Sequence, residues 1–399
     1  MASAPMIPFD LPAELPVVEL SWPTRVVIGP GALARLPAHL ARLGVRRPLV
    51  VTDAGVVRAG IAARVHATLE AAGIHAARFE EVQPNPTDRD AEEGLAAYRR
   101  GGCDGLVAVG GGSSIDAAKL VQLLTTHEPP LSRYDDAAGG DRFVRDDLPP
   151  LVAIPTTAGT GSEVGRSGVA TLPDTGRKTV IFSPHLMPKV AICDPELTVD
   201  LPAKLTAATG MDAFTHGLEA YVAAGFHPLA DAVALDAVRR AARSLPVAVR
   251  EPRNLHARTD MMIAAMEGAM AFQKGLGASH ALAHALTPVA GLHHGLANAV
   301  VLPAVVAFNR DVAGPRLAEA AVAMGADRRA GEAALADGAA ARVRALAAEV
   351  GIPARLREAG VREEDLPRIA AKAYEDASHR TNPRPCAEAD LLAIARLAF

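Results

Sequence analysis

The sequence predicts an α/β architecture in two parts: a mostly parallel sheet wrapped by helices over residues 1–195, then an all-helical part over residues 196–399. Three observations carry this expectation. At 399 residues the chain exceeds the roughly 100–200 residues of one ordinary domain. Short β-branched runs alternate with Ala-rich stretches through the first half. In the second half such runs nearly vanish and Ala/Leu periodicity takes over.

The runs come in order as RVVIG (25–29), RPLVVTD (47–53), HAARFEEV (75–82), DGLVAVGGG (104–112) and PPLVAIPTT (149–157), with KVAICD (189–194) closing the series. Strand-like segments separated by helical ones read as βαβ units feeding a parallel sheet. The boundary is expected between Asp194 and Leu201, within DPELTVDLPA. Beyond it, LADAVALDAVRRAARSL (229–245) and MMIAAMEGAMAFQKGLGASHALAHAL (261–286) fit the helical period of 3.6. Internal repeats, heptads and low-complexity linkers are absent from the sequence.

Composition narrows the function. Half the residues are apolar and 22% are charged, as in an ordinary globular protein. A net charge of −4, with both signs mixed along the chain, lacks the positive field that phosphate backbones require, so nucleic acid is not expected as a partner. The N-terminus lacks a basic region followed by an apolar block, and no apolar run approaches the ~20 residues that span a bilayer, so a cytoplasmic protein without membrane contact is expected. Cys103, Cys193 and Cys386 are odd in number and far apart, which argues against a disulfide framework or a cysteine zinc site.

The first half carries the marks of nucleotide binding, in a Rossmann-like arrangement. In GLVAVGGGSSIDAAKL an apolar run meets Gly110, Gly111 and Gly112, and Ser113 opens a helix. Free backbone N–H groups and the positive helix end can there approach a pyrophosphate. Asp53 in VVTDAG follows a strand, where a carboxylate either accepts hydrogen bonds from ribose hydroxyls or caps the next helix. VAIPTTAGTGSE ends a further strand in hydroxyls and glycines suited to phosphate or ribose. Asp116 reads as a first-turn carboxylate favoured by the helix dipole.

The second half carries the marks of a metal site. Asp212 and His216 lie four apart in GMDAFTHGLEAYV, sharing one helix face. His280 and His284 repeat that spacing, and His293 and His294 follow after a turn. A carboxylate and imidazoles converging from two or three helices make an N/O set suited to Fe²⁺ or Zn²⁺. The stretch HALAH lacks the Glu of H-E-x-x-H, which counts against hydrolysis.

Taken together, VTDAG, PNPTD, GGGSSIDAAK, IPTTAGTGSE, DPELT, LPAKLTAATGMDAFTHGLEAYV, the histidine region and TNPR resemble the iron-containing alcohol dehydrogenases, on the dehydroquinate synthase-like fold. The resemblance runs nearly end to end. It implies Asp212, His216, His280 and His294 as metal ligands, the last by its match to the family's His-Gly pair, here His294-Gly295. His284 would face the reaction without binding the metal and relay a proton. Contacts to NAD, with NADP as the alternative, would come from Asp53, Asn85, Gly111, Gly112, Ser113, Thr156, Thr157, Thr160, Lys178 and Leu197. Phe272 would wall the substrate, and Arg166 or His293 would pair with an anionic group on it.

Two positions depart from the family pattern: Gly165 stands where many members have Thr, and Thr287 where they have Gly. The resemblance further implies a homodimer or larger assembly, a reaction in the cleft between the two domains, and a small alcohol or aldehyde, with a hydroxy acid and its semialdehyde included. Competing readings are a metal-free reductase of the maleylacetate reductase type, a lyase like dehydroquinate synthase, and a non-catalytic scaffold retaining the fold.

Overall fold

Apolar runs long enough to bury both faces pair as parallel strands, and this organises the first half of the chain. The structure, a computed structural model, describes residues 18–21, 24–172 and 177–399. The N-terminal stretch, where no leader is expected, lies outside the described residues. The chain divides into two compact units: one within Ala13–Thr157 and Gly161–Asp200, the other within Ala158–Thr160 and Leu201–Phe399. The division follows Asp200, and the turn Pro195–Leu197 places Leu197 in the core under the sheet.

The sheet unit holds strands β1 (Val18–Ser21), β2 (Arg25–Ile28), β3 (Pro48–Val51), β4 (Ala77–Phe79), β5 (Gly105–Gly110), β6 (Leu151–Pro155), β7 (Ser167–Leu172), β8 (Arg177–Phe182) and β9 (Val190–Cys193). Helices α1 (Leu36–Arg42), α2 (Ala54–Arg58), α3 (Ile61–Ala71), α4 (Asp88–Arg100) and α5 (Gly112–Leu124) connect them. Seven strands form one sheet in the order β1-β2-β9-β6-β5-β3-β4, parallel except for β1. Every residue of β3, β5, β6 and β9 is buried. HAARFEEV yields only three strand residues, an edge strand that stops at Glu80 and Glu81. The hairpin β7–β8, in register from Ser167↔Phe182 to Leu172↔Arg177, was not expected: β7 alternates buried and half-buried positions and gives no solid apolar run.

From β3 the chain runs outward to β4, and from β5 it runs the other way to β6, so the adjacent β3 and β5 mark the point where the winding reverses. Nucleotides bind outside the carboxyl ends of strands at such a point. The residues found there are Asp53, after β3, and the glycine turn after β5. Gly110 has φ +149, and a Cβ on it would run into the Ser114 hydroxyl, so only glycine fits the turn.

A buried ionic cluster fixes the next loop to α5. Lys119 is fully buried and its ammonium offers three protons to four acceptors: the Ser162, Gly165 and Ser167 carbonyls and Ser162 Oγ, at 2.8–3.0 Å. Ser162 Oγ in turn donates to Asp116 Oδ1 at 2.6 Å. Asp116, the first-turn carboxylate of α5, is therefore a partner of this cluster: burial raises its carboxyl pKa, and Lys119 and Ser162 oppose the rise. Burial likewise lowers Lys119 to about 8 and raises neighbouring Glu163 to about 7.

The second unit is helical: α6 (Ala203–Val222), α7 (Pro228–Arg250), α8 (Leu255–Ala271), α9 (Ala278–Ala290), α10 (His294–Ala323), α11 (Glu332–Glu349), α12 (Leu366–Glu375) and α13 (Glu388–Ala398). Its core runs from Met211 and Phe214 of α6 through α9 and α10 to Ile394 of α13. By length and composition α10 alone, among the described helices, is apolar enough to cross a bilayer, yet 67% of its most apolar window is buried against its neighbours.

Glu163 gives the fold a pH signature. Its folded pKa of about 7 lies above the ordinary 4.5, so between these values the folded protein keeps a proton that the unfolded chain releases, and stability falls as pH rises through the window. Urea unfolding at about pH 5 and about pH 7 should show the wild type losing about 1–3 kcal/mol more than Glu163→Gln over that interval. Equal losses in the two proteins would show that Glu163 carries no such burden.

Candidate metal centre

Helix α6 is buried on both sides. Met211, Phe214 and Leu218 pack into the core, while Asp212, His216 and Glu219, at i, i+4 and i+7, form a polar stripe that is also buried. Buried polar groups are costly unless partnered, so each should have an identifiable partner.

Glu219 finds its partners at the start of α9. Gly277 at the N-cap has no side chain to satisfy the first amides of that helix, and other residues supply the acceptors. Asn382 Oδ1 accepts from Ala278 N–H at 3.2 Å, and Glu219 accepts from Ser279 N–H at 2.7 Å and His280 N–H at 3.2 Å. Glu219 Oε2 also accepts from His280 Nδ1–H at 2.6 Å. With Nδ1 held, the buried Nε2 of His280 has no hydrogen-bond partner and lies 4.0 Å from Asp212 Oδ1.

His294 reaches the same carboxylate from α10. Gly295 permits this, because a Cβ there would collide with the Ala208 carbonyl of α6. His294 Nε2 lies 3.5 Å from Asp212 Oδ1, and Asn298, one turn on, donates its Nδ2 to that oxygen at 2.8 Å. Ligand atoms of Asp212, His280 and His294 all fall within 4.8 Å of one another. His216 stands outside this trio. Its ring stacks on His280 at 4.6 Å between centroids and is hydrogen-bonded to the Gly159 carbonyl, while its buried Nδ1 has no hydrogen-bond partner.

The electrostatics suit a cation. Burial pushes the Asp212 carboxyl up, but His216, His294, His280 and Asn298 outweigh it and hold it well below the usual carboxylate range. Burial lowers His216 to about 4 against the pull of Asp212, leaving a neutral imidazole at ordinary pH. For His280 burial acts downward, yet the Glu219 hydrogen bond and charge win and raise it. An ionised buried carboxylate beside imidazole nitrogens, with no sulfur in the set, fits a divalent ion such as Fe²⁺ or Zn²⁺.

Other expected residues fall around this centre. His284 donates Nδ1–H to Asp376 Oδ2 at 2.8 Å, and its ring stacks on His294 at 5.0 Å. Burial raises Asp376, but the His284 hydrogen bond and charge hold it below the usual range. Phe272 lies 5.3 Å from the His216 ring. His293 is exposed at the N-cap of α10. Arg166 belongs to the sheet unit, half-buried over the Phe182 ring at 5.1 Å.

In the sheet unit, Gly111 is the N-cap of α5, Gly112 begins the helix, and no side chain caps its amides. Ser113 Oγ donates to the Pro84 carbonyl at 2.5 Å, tying the loop that bears exposed Asn85 to this turn. Thr156 is buried with its N–H on Gly110, and half-buried Thr157 lies against Gly111. Asp53 caps α2 through Oδ1 and accepts from Ser114 Oγ on Oδ2 at 2.7 Å, so the capping alternative is realised. Lys178 lies on β8, where its charge acts on Asp116. Thr160 groups with the helical unit. Leu197 is 3% exposed as a whole residue, with its side chain in the sheet core. A Cβ at Gly165 would meet nothing nearer than 3.6 Å, so space does not demand glycine there, and Thr287 Oγ1 is turned back onto the Ala283 carbonyl.

Glu219, Asn298, Asp376 and Ser114 were missed. Glu219 was findable, being on the Asp212–His216 face at i+7. Asp376 was not, since 92 residues separate it from His284.

Residues 23–195 match the model of the family described as iron-containing alcohol dehydrogenase, and residues 206–399 match that of its C-terminal part. A 4-hydroxybutyrate dehydrogenase from Cupriavidus necator is 46% identical over 92% of this chain and 96% of its own. A solved 1,3-propanediol oxidoreductase aligns with TM-score 0.91 and 39% identity over 97% of this chain and all of its own (100%). A sulfoacetaldehyde reductase from Bifidobacterium kashiwanohense, solved with NAD⁺, aligns with TM-score 0.85 and 28% identity over 95% of this chain and 97% of its own.

The Glu219–His280 contact is open to direct test. Glu219→Gln keeps an acceptor for the α9 amides but removes the charge behind the imidazole, and should weaken divalent-metal affinity by about 10–100-fold in chelator competition. Unchanged affinity would reduce Glu219 to a helix cap.

Proposed function

We propose a substrate and a set of residue roles for this chain, which belongs to the iron-containing alcohol dehydrogenase family. It is an oxidoreductase that interconverts small alcohols and their carbonyl products with a nicotinamide cofactor. Our reading is that it is NAD-dependent and acts on a short hydroxy acid, 4-hydroxybutyrate in the first instance, giving the semialdehyde. Two relatives support an anionic chain on the substrate: one acts on 4-hydroxybutyrate and the other on sulfoacetaldehyde. The convergence of Asp212, His280 and His294 within 4.8 Å carries the dehydrogenase chemistry.

Asp212, His280 and His294 would hold the metal, Fe²⁺ or Zn²⁺, and His216 would complete the set by turning its neutral imidazole inward. When bound, the metal and NAD supply stabilisation of negative charge on the substrate oxygen and a hydride acceptor. The remaining work belongs to the chain. The open amides of Gly112 and Ser113 at the α5 N-terminus would receive the pyrophosphate, and Asp53, while it caps α2, would set its negative charge against a 2′-phosphate. Phe272 presents an apolar wall beside His216. His284, partly exposed, would accept the alcohol proton and pass it to solvent.

The test is a variant pair on air-free, metal-loaded protein. His280→Ala should lose metal and nearly all NADH formation, while His284→Ala should keep about one metal per chain and lose about 100-fold in kcat. In the wild type, kcat/KM should be highest for 4-hydroxybutyrate among short alcohols, diols and hydroxy acids. Metal loss in His284→Ala would overturn the division of roles, and a preference for uncharged diols would overturn the substrate.

A further inference from the structure

His280 and His284 stand one turn apart on α9, and each has its Nδ1 tied to its own carboxylate, Glu219 for the first and Asp376 for the second. Only the first belongs to the metal trio. We propose that Asp376 is a positioning residue for proton transfer: by accepting Nδ1–H it fixes His284 in the tautomer whose Nε2 lone pair is open to the alcohol proton. This rests on the dehydrogenase reading above.

A neutral imidazole carries one proton shared between two nitrogens, and only the bare nitrogen is a base. Without a partner, the tautomer with Nε2 protonated is populated and cannot accept. Asp376 removes that choice, provided its carboxylate cannot turn away. Its other oxygen, Oδ1, accepts from Ser378 N–H at 2.8 Å, which locks the carboxylate into the turn Ala377–Thr381. That turn is fastened to the segment leading into α9. Thr381 Oγ1 donates to the Leu276 carbonyl at 2.8 Å, and Asn382 Oδ1 accepts from Ala278 N–H. The carboxylate and the helix bearing His284 therefore move as one piece.

Exposure separates the two histidines further. The His280 side chain is 1% exposed and that of His284 is 28% exposed, so only His284 has a route to water. In alcohol oxidation the O–H proton goes to His284 Nε2, making an imidazolium that still donates Nδ1–H to Asp376. A bound nicotinamide would supply the acceptor for the carbon's hydride as C–O becomes C=O, and the imidazolium releases its Nε2 proton to solvent. Asp376 stays a carboxylate throughout, in the manner of the third member of a triad.

The experiment compares wild type with Asp376→Asn, Asp376→Glu, His284→Ala and Asp376→Asn/His284→Ala. Side-chain ¹⁵N spectra of metal-free protein read the His284 tautomer without any turnover. Taken at a pH where the spectra show the imidazole neutral, wild type should have protonated Nδ1 alone, and Asp376→Asn should show a mixture. On loaded enzyme, Asp376→Asn should keep its metal content, lose about 10–100-fold in kcat and change KM by less than about 3-fold. Asp376→Glu should recover part of the loss, and the double variant should be no slower than His284→Ala. Protonated Nε2 in the wild type, an unchanged kcat in Asp376→Asn, or additive losses in the double variant would overturn the proposal. Absence of NADH formation by wild type on every alcohol would sink the dehydrogenase reading instead, while the spectra would still decide whether Asp376 holds the tautomer.

Discussion

A carboxylate shut inside an apolar helical bundle needs a cation, and Asp212 is that carboxylate. An isolated buried charge costs several kcal/mol in practice, and neutral imidazoles cannot repay that by themselves. Much of the helical unit's local detail follows from this. Helix α6 gives up a solvent face so that Asp212, His216 and Glu219 can be enclosed, and Gly295 brings α10 close enough for His294 to reach Asp212. Asn298 spends an amide proton on the same oxygen. The surroundings are arranged to keep Asp212 ionised.

Around that charge, carboxylates sort histidines into roles. Glu219 serves as both helix cap and imidazole acceptor, so one buried side chain satisfies the α9 amides and aims His280 Nε2 inward. The sheet unit works under a different constraint. There the need is for unpartnered donors, which the uncapped start of α5 supplies, and for loops that stay still beside it. Lys119 meets the second need by drawing three carbonyls of the Ser162–Ser167 segment onto α5.

Much of this was legible in the chain itself. Solid apolar runs such as GLVAV and PLVAI gave the buried strands, and the spacing of Asp212, His216, His280 and His284 gave the helix faces that bear the polar groups. What escaped has physical causes. Hairpin β7–β8 alternates instead of running apolar, so its period was hidden by its short length. Asp376 and Asn298 join the site through folding contacts that no local pattern encodes. The first-turn place of Asp116 was legible, but its partners were not, because Ser162, which donates to it, and Lys119 meet it only through folding contacts. The His216 spacing was plain, yet stacking on His280 places it beside the trio rather than in it.

The most direct measurement is an anomalous difference map from crystals of protein loaded with Fe²⁺ or Zn²⁺, collected at the metal edge. The account predicts a single peak bonded at about 2.0–2.2 Å to Asp212, His280 Nε2 and His294, with His216 turned toward it. A peak elsewhere, or none in crystals of protein that still reduces NAD⁺ with an alcohol, would contradict it.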